Sequence, residues 1–202
     1  MSLIDTTYFV GDISLPVSTN SNISSNLTNS ITRYEDEILK KLLGYELWRD
    51  FKAGIAEDEP DQKWIDLRDG AEFSFEYWGH TITTKWNGLV NSDKISLIAY
   101  YVYYKYKRNN ETHSTGLGEV KAKGVNSEAV SSLSKLIWSF NSMVELYGQI
   151  PANVIKVRDF LEIDNYEHHN RAASAYNFLL ANKETYTNWI FEPIKKINPF
   201  ML

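Results

Sequence analysis

Residues 95–106 read ISLIAYYVYYKY, and this stretch decides the fold. Only Ser96 and Lys105 in it are plainly polar, and five of the twelve positions are tyrosine. A segment apolar on every side must be covered on more than one face. Periodicity alone leaves a buried strand and a buried helix open. Length favours the helix, because strands usually stop at about 4–8 residues. No Gly or Pro interrupts the run, and Asn91, Ser92 and Asp93 before it are good N-cap residues. The stretch predicts a central helix over 92–107. It is shorter than the roughly 20 apolar residues that a membrane-spanning helix needs.

Immediately upstream the period changes. Phe73, Phe75 and Tyr77 alternate with Glu72, Ser74 and Glu76, and a second β-prone run, TITTKW, follows Gly79 and His80. This pattern predicts a β-hairpin over 72–86, which must lie on another element because an isolated hairpin is marginal in water. A brief helix over 63–68 precedes it, and an acidic loop over 53–62 precedes that. Ile23, Leu27, Ile31, Tyr34, Ile38 and Leu42 form one helical stripe, so a long first helix is expected over 22–43, closed by Gly44. A short amphipathic segment over 45–51 comes next. Within the first helix, Asp36 with Lys40 and Glu37 with Lys41 have ion-pair spacing, and the acids Glu35, Asp36 and Glu37 read as a solvated face. Residues 1–20 read as an irregular or strand-like arm, β-prone around Thr7 to Val10.

Downstream, residues 108–124 form a long polar stretch without apolar period, expected as a functional or mobile loop. Val130, Leu133, Ile137, Phe140, Val144 and Tyr147 then alternate by three and four, which predicts a helix over 127–147 ended by Gly148 and Pro151. Residues 154–163 stay open between strand and short helix. A last helix is expected over 167–183, followed by an extended, docked tail over 184–202.

The composition fits one domain over 1–202 with a substantial core. Apolar residues are 43% and aromatic residues 14% of the 202, with no cysteine and a net charge of −5. Lack of cysteine removes disulfides, thiol catalysis and thiolate metal sites. Mild acidity argues against a general nucleic-acid binder, which shows a basic face. The first 16 residues have no basic region ahead of a long apolar one, so they do not read as a secretory signal.

No motif carries a defined chemistry. The segment Gly116-Leu-Gly-Glu-Val-Lys-Ala-Lys-Gly124 lacks the GxxxxGK[ST] spacing of a phosphate loop. His168 and His169 are adjacent, so on a helix they sit about 100° apart and do not share an ion easily. Neither HExxH nor paired Glu-x-x-His is present. No catalytic, cofactor-binding or metal-binding residue is assigned, and no enzymatic activity is expected. The candidates for partner contact are Trp78, His80 and Trp86 on the hairpin, and Thr115, Gly116, Gly118, Lys121 and Lys123 on the polar loop. Trp86 also has a plain core reading, since large aromatics are mostly buried.

The succession ITRYEDEILKKLLGYELW, a hairpin ending in KWNGL, IAYYVYYKY, THSTGLGEVKAKGVNS, SFNSM and YTNWIFEPIKKINPF resembles tailed-phage and prophage proteins encoded among capsid and neck genes. It is similar in layout to the small helical adaptors that join the portal to the tail. The resemblance spans most of the chain, although typical adaptors have a shorter arm and tail. It implies a mainly α fold, a helical bundle with one β-hairpin, a long polar loop and extended termini. It implies a non-enzymatic head–tail connector or adaptor subunit, a homo-oligomeric ring at the virion neck. Portal and tail proteins would be its partners, with DNA passing through a channel without specific binding. No cofactor and no membrane are expected, and assembly would take place in the host cytoplasm. The alternative is a monomeric helical ligand-binding module with an aromatic pocket between hairpin and central helix.

Overall fold

The first helix, α1 (Ser21–Leu43), carries the stripe that its sequence predicts: Leu27, Ile31, Tyr34, Ile38 and Leu42 are all buried. Leu39 and Leu43 are buried too, so the apolar face is wider than one stripe. The reason is that α1 has neighbours on several sides. The computed structural model describes residues 2–15, 21–77, 80–110, 113–115, 118–120, 133–148 and 174–197. In these the chain is mainly α, with α2 (Tyr45–Gly54), α3 (Gln62–Asp69), α4 (Leu97–Asn110), α5 (Leu133–Tyr147) and α6 (Ala175–Ala181) after α1. Strands β1 (Ala71–Tyr77) and β2 (His80–Trp86) form the expected hairpin, antiparallel from Ala71 opposite Trp86 to Tyr77 opposite His80.

The run ISLIAYYVYYKY is the middle of the molecule. Helix α4 packs on both α1 and α5. Leu97, Ile98, Ala99, Tyr101, Val102 and Tyr103 are buried on all sides of its first two turns. The helix begins five residues later than the sequence suggests. Lys94 has a left-handed backbone, φ 60°, which a helix does not propagate through. Asn91 does not cap the helix. It folds the lead-in instead, accepting from Ile95 N (3.1 Å) and donating to Ile95 O (2.6 Å). Ser96 is the cap: its Oγ accepts from Ile98 N (3.2 Å) and donates to Leu89 O (2.6 Å). Ile95 is left outside the helix and exposed.

A helix leaves its last four carbonyls without intrahelical partners. In α1 one is closed locally and three are satisfied by residues far along the chain. Gly44 N closes on Lys40 O (3.0 Å), then Glu192 N donates to Lys41 O (3.0 Å) and Ile190 N to Leu43 O (3.2 Å). The Trp189 indole N–H donates to Leu42 O (2.8 Å). Tyr186, itself buried, reaches Lys63 O with its hydroxyl (2.7 Å). Residues 184–197 are therefore held against α1, α3 and α5 by hydrogen bonds.

Three expectations need correction. The N-terminal arm is neither strand nor free lead-in. It makes two 3-10 turns, Thr6–Tyr8 and Gly11–Ile13, the first capped by Asp5, and buries Ile4, Tyr8, Phe9, Ile13 and Leu15 in the main core. The polar stretch 108–124 is not one irregular loop: α4 runs on to Asn110, and β3 (His113–Thr115) pairs antiparallel with β4 (Gly118–Val120). Strands of three residues show no readable alternation. The last helix does not run unbroken from 167, because Ser174 has extended backbone and caps α6, accepting from Asn177 N (3.3 Å). Residues 127–132, 149–173 and 198–202 lie outside the described residues, and with them the expected start of α5 and the segment 154–163.

The hairpin lies on α6. Phe178 receives Phe73 edge-on (ring centroids 5.5 Å apart) and stacks on Trp86 (6.2 Å). The chain entering the hairpin at Gly70 and the chain leaving it at Gly88 cross in contact, both at positive φ (96° and 82°). A Cβ on Gly70 would stand 2.2 Å from Trp86 O, and one on Gly88 2.5 Å from Arg68 O. Gly70→Ala is expected to cost at least about 2 kcal/mol, from backbone strain and this clash together. Trp189→Phe, which keeps the ring but leaves Leu42 O without its donor, should cost about 1–2 kcal/mol. Chemical denaturation of both variants measures the two losses.

Candidate interaction surfaces

Three consecutive acids on α1 were expected to face solvent, and the structure overturns this for Glu35, while Asp36 and Glu37 stay partly exposed. Glu35 is 1% exposed. Its carboxylate accepts from Leu3 N at both oxygens (3.0 and 2.9 Å) and from Ile4 N (3.3 Å). The N-terminal arm is thereby pinned to α1. Asp36 pairs with Lys52 of α2 (3.0 Å) rather than with Lys40. Glu37 accepts from Tyr101 Oη (2.6 Å) and Lys105 Nζ (2.9 Å) of α4 rather than pairing with Lys41. Lys40 instead lies over the Trp48 ring, 4.1 Å from its centroid, and Lys41 pairs with Glu192. One turn of α1 thus fastens three different elements.

The buried Glu35 and the partly exposed Glu37 are displaced in opposite directions. Burial pushes the Glu35 carboxyl above its ordinary range, against its amide hydrogen bonds and the field of Lys52, with Asp36 adding to the rise. Burial acts on Glu37 the same way, but its hydrogen bonds from Lys105 and Tyr101 outweigh it and hold that carboxyl low. Burial and the Glu37 bond push the Tyr101 phenol well above the usual tyrosine range. Each of these carboxylates is used to hold the chain together. Among the described residues no group of three His, Cys, Asp or Glu side chains is placed to hold a metal ion. None of the helices among them is long and apolar enough to cross a membrane.

The sequence candidates divide as follows. Trp86 is 2% exposed, and its indole N–H donates to Leu67 O (3.1 Å), so it lies inside the chain. With Phe73 it packs against Phe178 of α6. His80 opens β2 opposite Tyr77. Thr115 and Gly118 are brought together as the last pair of the β3–β4 ladder. Trp78, Gly116, Lys121, Lys123, His168 and His169 lie outside the described residues.

Sequence reading missed the apolar side chains that do reach the surface among the described residues: besides Val10 and Ile95 they lie on α2, α5, α6 and the tail. Tyr45 is 64% exposed and Ile190 68%. Gly44, next to Tyr45 in the chain, lays its backbone against Ile190, where a Cβ would meet Ile190 Cβ at 2.9 Å. Leu180 of α6 is 47% exposed and borders a shallow groove of about 420 Å³ with Phe75, Asn177 and Ala181. On α5, Leu133 and Trp138 border another of about 360 Å³. A readable signal existed for Trp138 alone: it stands one residue off the apolar stripe of its helix.

No protein-family model matches the chain, and no curated protein or solved structure matches it either.

Removing Glu35 leaves two amides of a buried arm without their acceptor. Glu35→Ala is expected to cost about 2–4 kcal/mol. The raised carboxyl sets a sign as well. The folded chain keeps the Glu35 proton at a pH where the unfolded chain has lost it. The stability this contributes is complete below the unfolded value and is lost as pH rises through the folded value. The stability of the unsubstituted chain relative to Glu35→Gln should therefore fall as pH rises from the ordinary glutamate range through the raised folded value. Denaturant titration of both proteins across that range checks it.

Proposed function

We propose that this chain is a structural subunit of a tailed-phage or prophage virion: a head–tail connector or adaptor that forms a ring with copies of itself at the neck. It acts by assembly rather than by catalysis. Its partners are its own neighbours, the portal and the tail proteins.

The observation that carries the reading is the pair of unlike apolar surfaces at Tyr45 with Ile190 and at the Leu180 groove. The interface of a ring is heterologous, so each subunit presents two different faces, one to each neighbour. A monomer has no use for large apolar side chains half or more exposed beside one another, whereas scattered single ones are ordinary. The layout of helices, hairpin and docked tail that resembles neck adaptors supports it further. So does the net charge of −5, because a wall around a DNA channel must not grip phosphates. The buried Glu35 and the Glu37 bonds to α4 tie elements of the subunit together, which suits a part that bears load and does not turn over substrate.

Light scattering behind size exclusion, with electron microscopy of negatively stained particles, tests the proposal. A closed oligomer is expected, alone or on addition of portal protein. Tyr45→Ser together with Ile190→Ser should reduce it to monomer while leaving the helical circular dichroism intact. A chain that stays monomeric alone and with both portal and tail proteins would overturn the reading.

A further inference from the structure

Tyr186 is the last buried residue of the described tail. Its ring lies beside those of Trp64 and Phe178 (centroids 6.3 and 6.0 Å away), and its hydroxyl donates to Lys63 O (2.7 Å). None of residues 187–197 is buried, and they form neither helix nor strand. Exposure alternates along the middle of this segment: Trp189 and Phe191 are half-buried, Ile190 and Glu192 exposed. That is the period of an extended chain laid on a surface. The N-terminal arm is built differently, since it sinks Ile4, Tyr8, Phe9, Ile13 and Leu15 in the core.

The segment takes its order from the body beneath it. No backbone hydrogen bond joins two of residues 187–197. Ile190 N and Glu192 N donate to Leu43 O and Lys41 O of α1, and the Trp189 indole donates to Leu42 O. Further along, Tyr147 of α5 donates its hydroxyl hydrogen to Glu192 O (2.5 Å). Asn141 holds Ile197 twice, accepting from its N (2.8 Å) and donating to its O (3.0 Å). The ion pairs Lys41–Glu192 and Lys196–Glu145 both cross from body to tail, with partners open to solvent. Few buried apolar contacts and backbone bonds near solvent are the marks of a region that opens at low cost.

We propose that residues 187–197 are a strap, hinged after Tyr186, that opens from the folded body as one unit. Opening bares the last carbonyls of α1 and the side of the Tyr147 ring that Phe191 covers (centroids 5.1 Å apart). It also carries Ile190 away from Gly44, so the exposed surface that includes Ile190 exists only while the strap is closed. The inference does not rest on ring formation.

Amide hydrogen exchange of the native full chain, read residue by residue, tests it. The amides of Ile190 and Glu192 should exchange at least about a hundredfold faster than those of Ile38 in α1 and Val102 in α4, with a weaker dependence on denaturant. Asn141→Ala frees Ile197 directly, and a strap that opens as one unit passes that loss on. Ile190 and Glu192 should then exchange about tenfold faster, the worth of one to two hydrogen bonds. Glu145→Gln, which removes an exposed ion pair and no buried group, should speed the same two amides about two- to threefold. Unchanged rates at Ile190 and Glu192 in both variants would overturn the proposal, because the tail would then fray piecemeal from its end. Exchange of these amides at the rate and denaturant dependence of Val102 would overturn it in the other direction, making the tail part of the core. A failure to form rings would leave it untouched.

Discussion

The buried carboxylate of Glu35 is the constraint on which the two ends of the fold depend. A carboxylate taken out of water needs hydrogen bonds to offset lost solvation. Here they come from backbone amides at Leu3 and Ile4. That choice places the arm, and the arm then carries Tyr8, Phe9 and Ile13 into the core and sets the Tyr8 hydroxyl against the Asn91 backbone (3.2 Å). The loop at Asn91 in turn decides where α4 begins. Asp36 and Glu37, on the next two positions, face α2 and α4 because successive helical residues point about 100° apart. A short acidic run therefore orients three elements at once, each through a different bond.

Around that hub the apolar surface is mostly consumed, with rings packed on rings: Phe73 and Trp86 on Phe178, Tyr147 on Phe191, Tyr176 on Trp189. High aromatic content is thus largely explained by the core. What remains outside among the described residues is Val10, Tyr45, Ile95, Leu133, Trp138, Leu180 and Ile190, spread over several elements.

The legible parts of the fold were those with a period. The stripe of α1, the Ile137, Val144 and Tyr147 part of the α5 stripe, and the hairpin of β1 and β2 follow directly from which positions must be apolar, whereas Leu133 of the α5 stripe is exposed. The illegible parts depend on partners distant in sequence. Nothing near Glu35 says that an amide more than thirty residues away will accept its burial, so an acid among acids reads as solvated. Asn91, Ser92 and Asp93 are all competent caps, and only the left-handed Lys94 and the bond from Ser96 to Leu89 put the boundary at Leu97. Trp86 and Trp138 illustrate the same limit for surfaces. Both are indoles in strongly patterned segments, but one is buried by Phe178 and the other is exposed, and composition cannot separate them.

The carbonyls at the end of α1 have a consequence for how the chain is made. Their partners lie at 189–192, nearly 150 residues downstream, so synthesis of most of the chain precedes them. Until then α1 ends in open acceptors and its last turn is free to fray. Helices and hairpin can form locally as they emerge, whereas the closing contacts are among the longest-range in the molecule, and contacts of that kind slow folding. The tail acts as a late clasp. A nascent chain is held short of its finished shape until the residues that lock its first helix have left the ribosome.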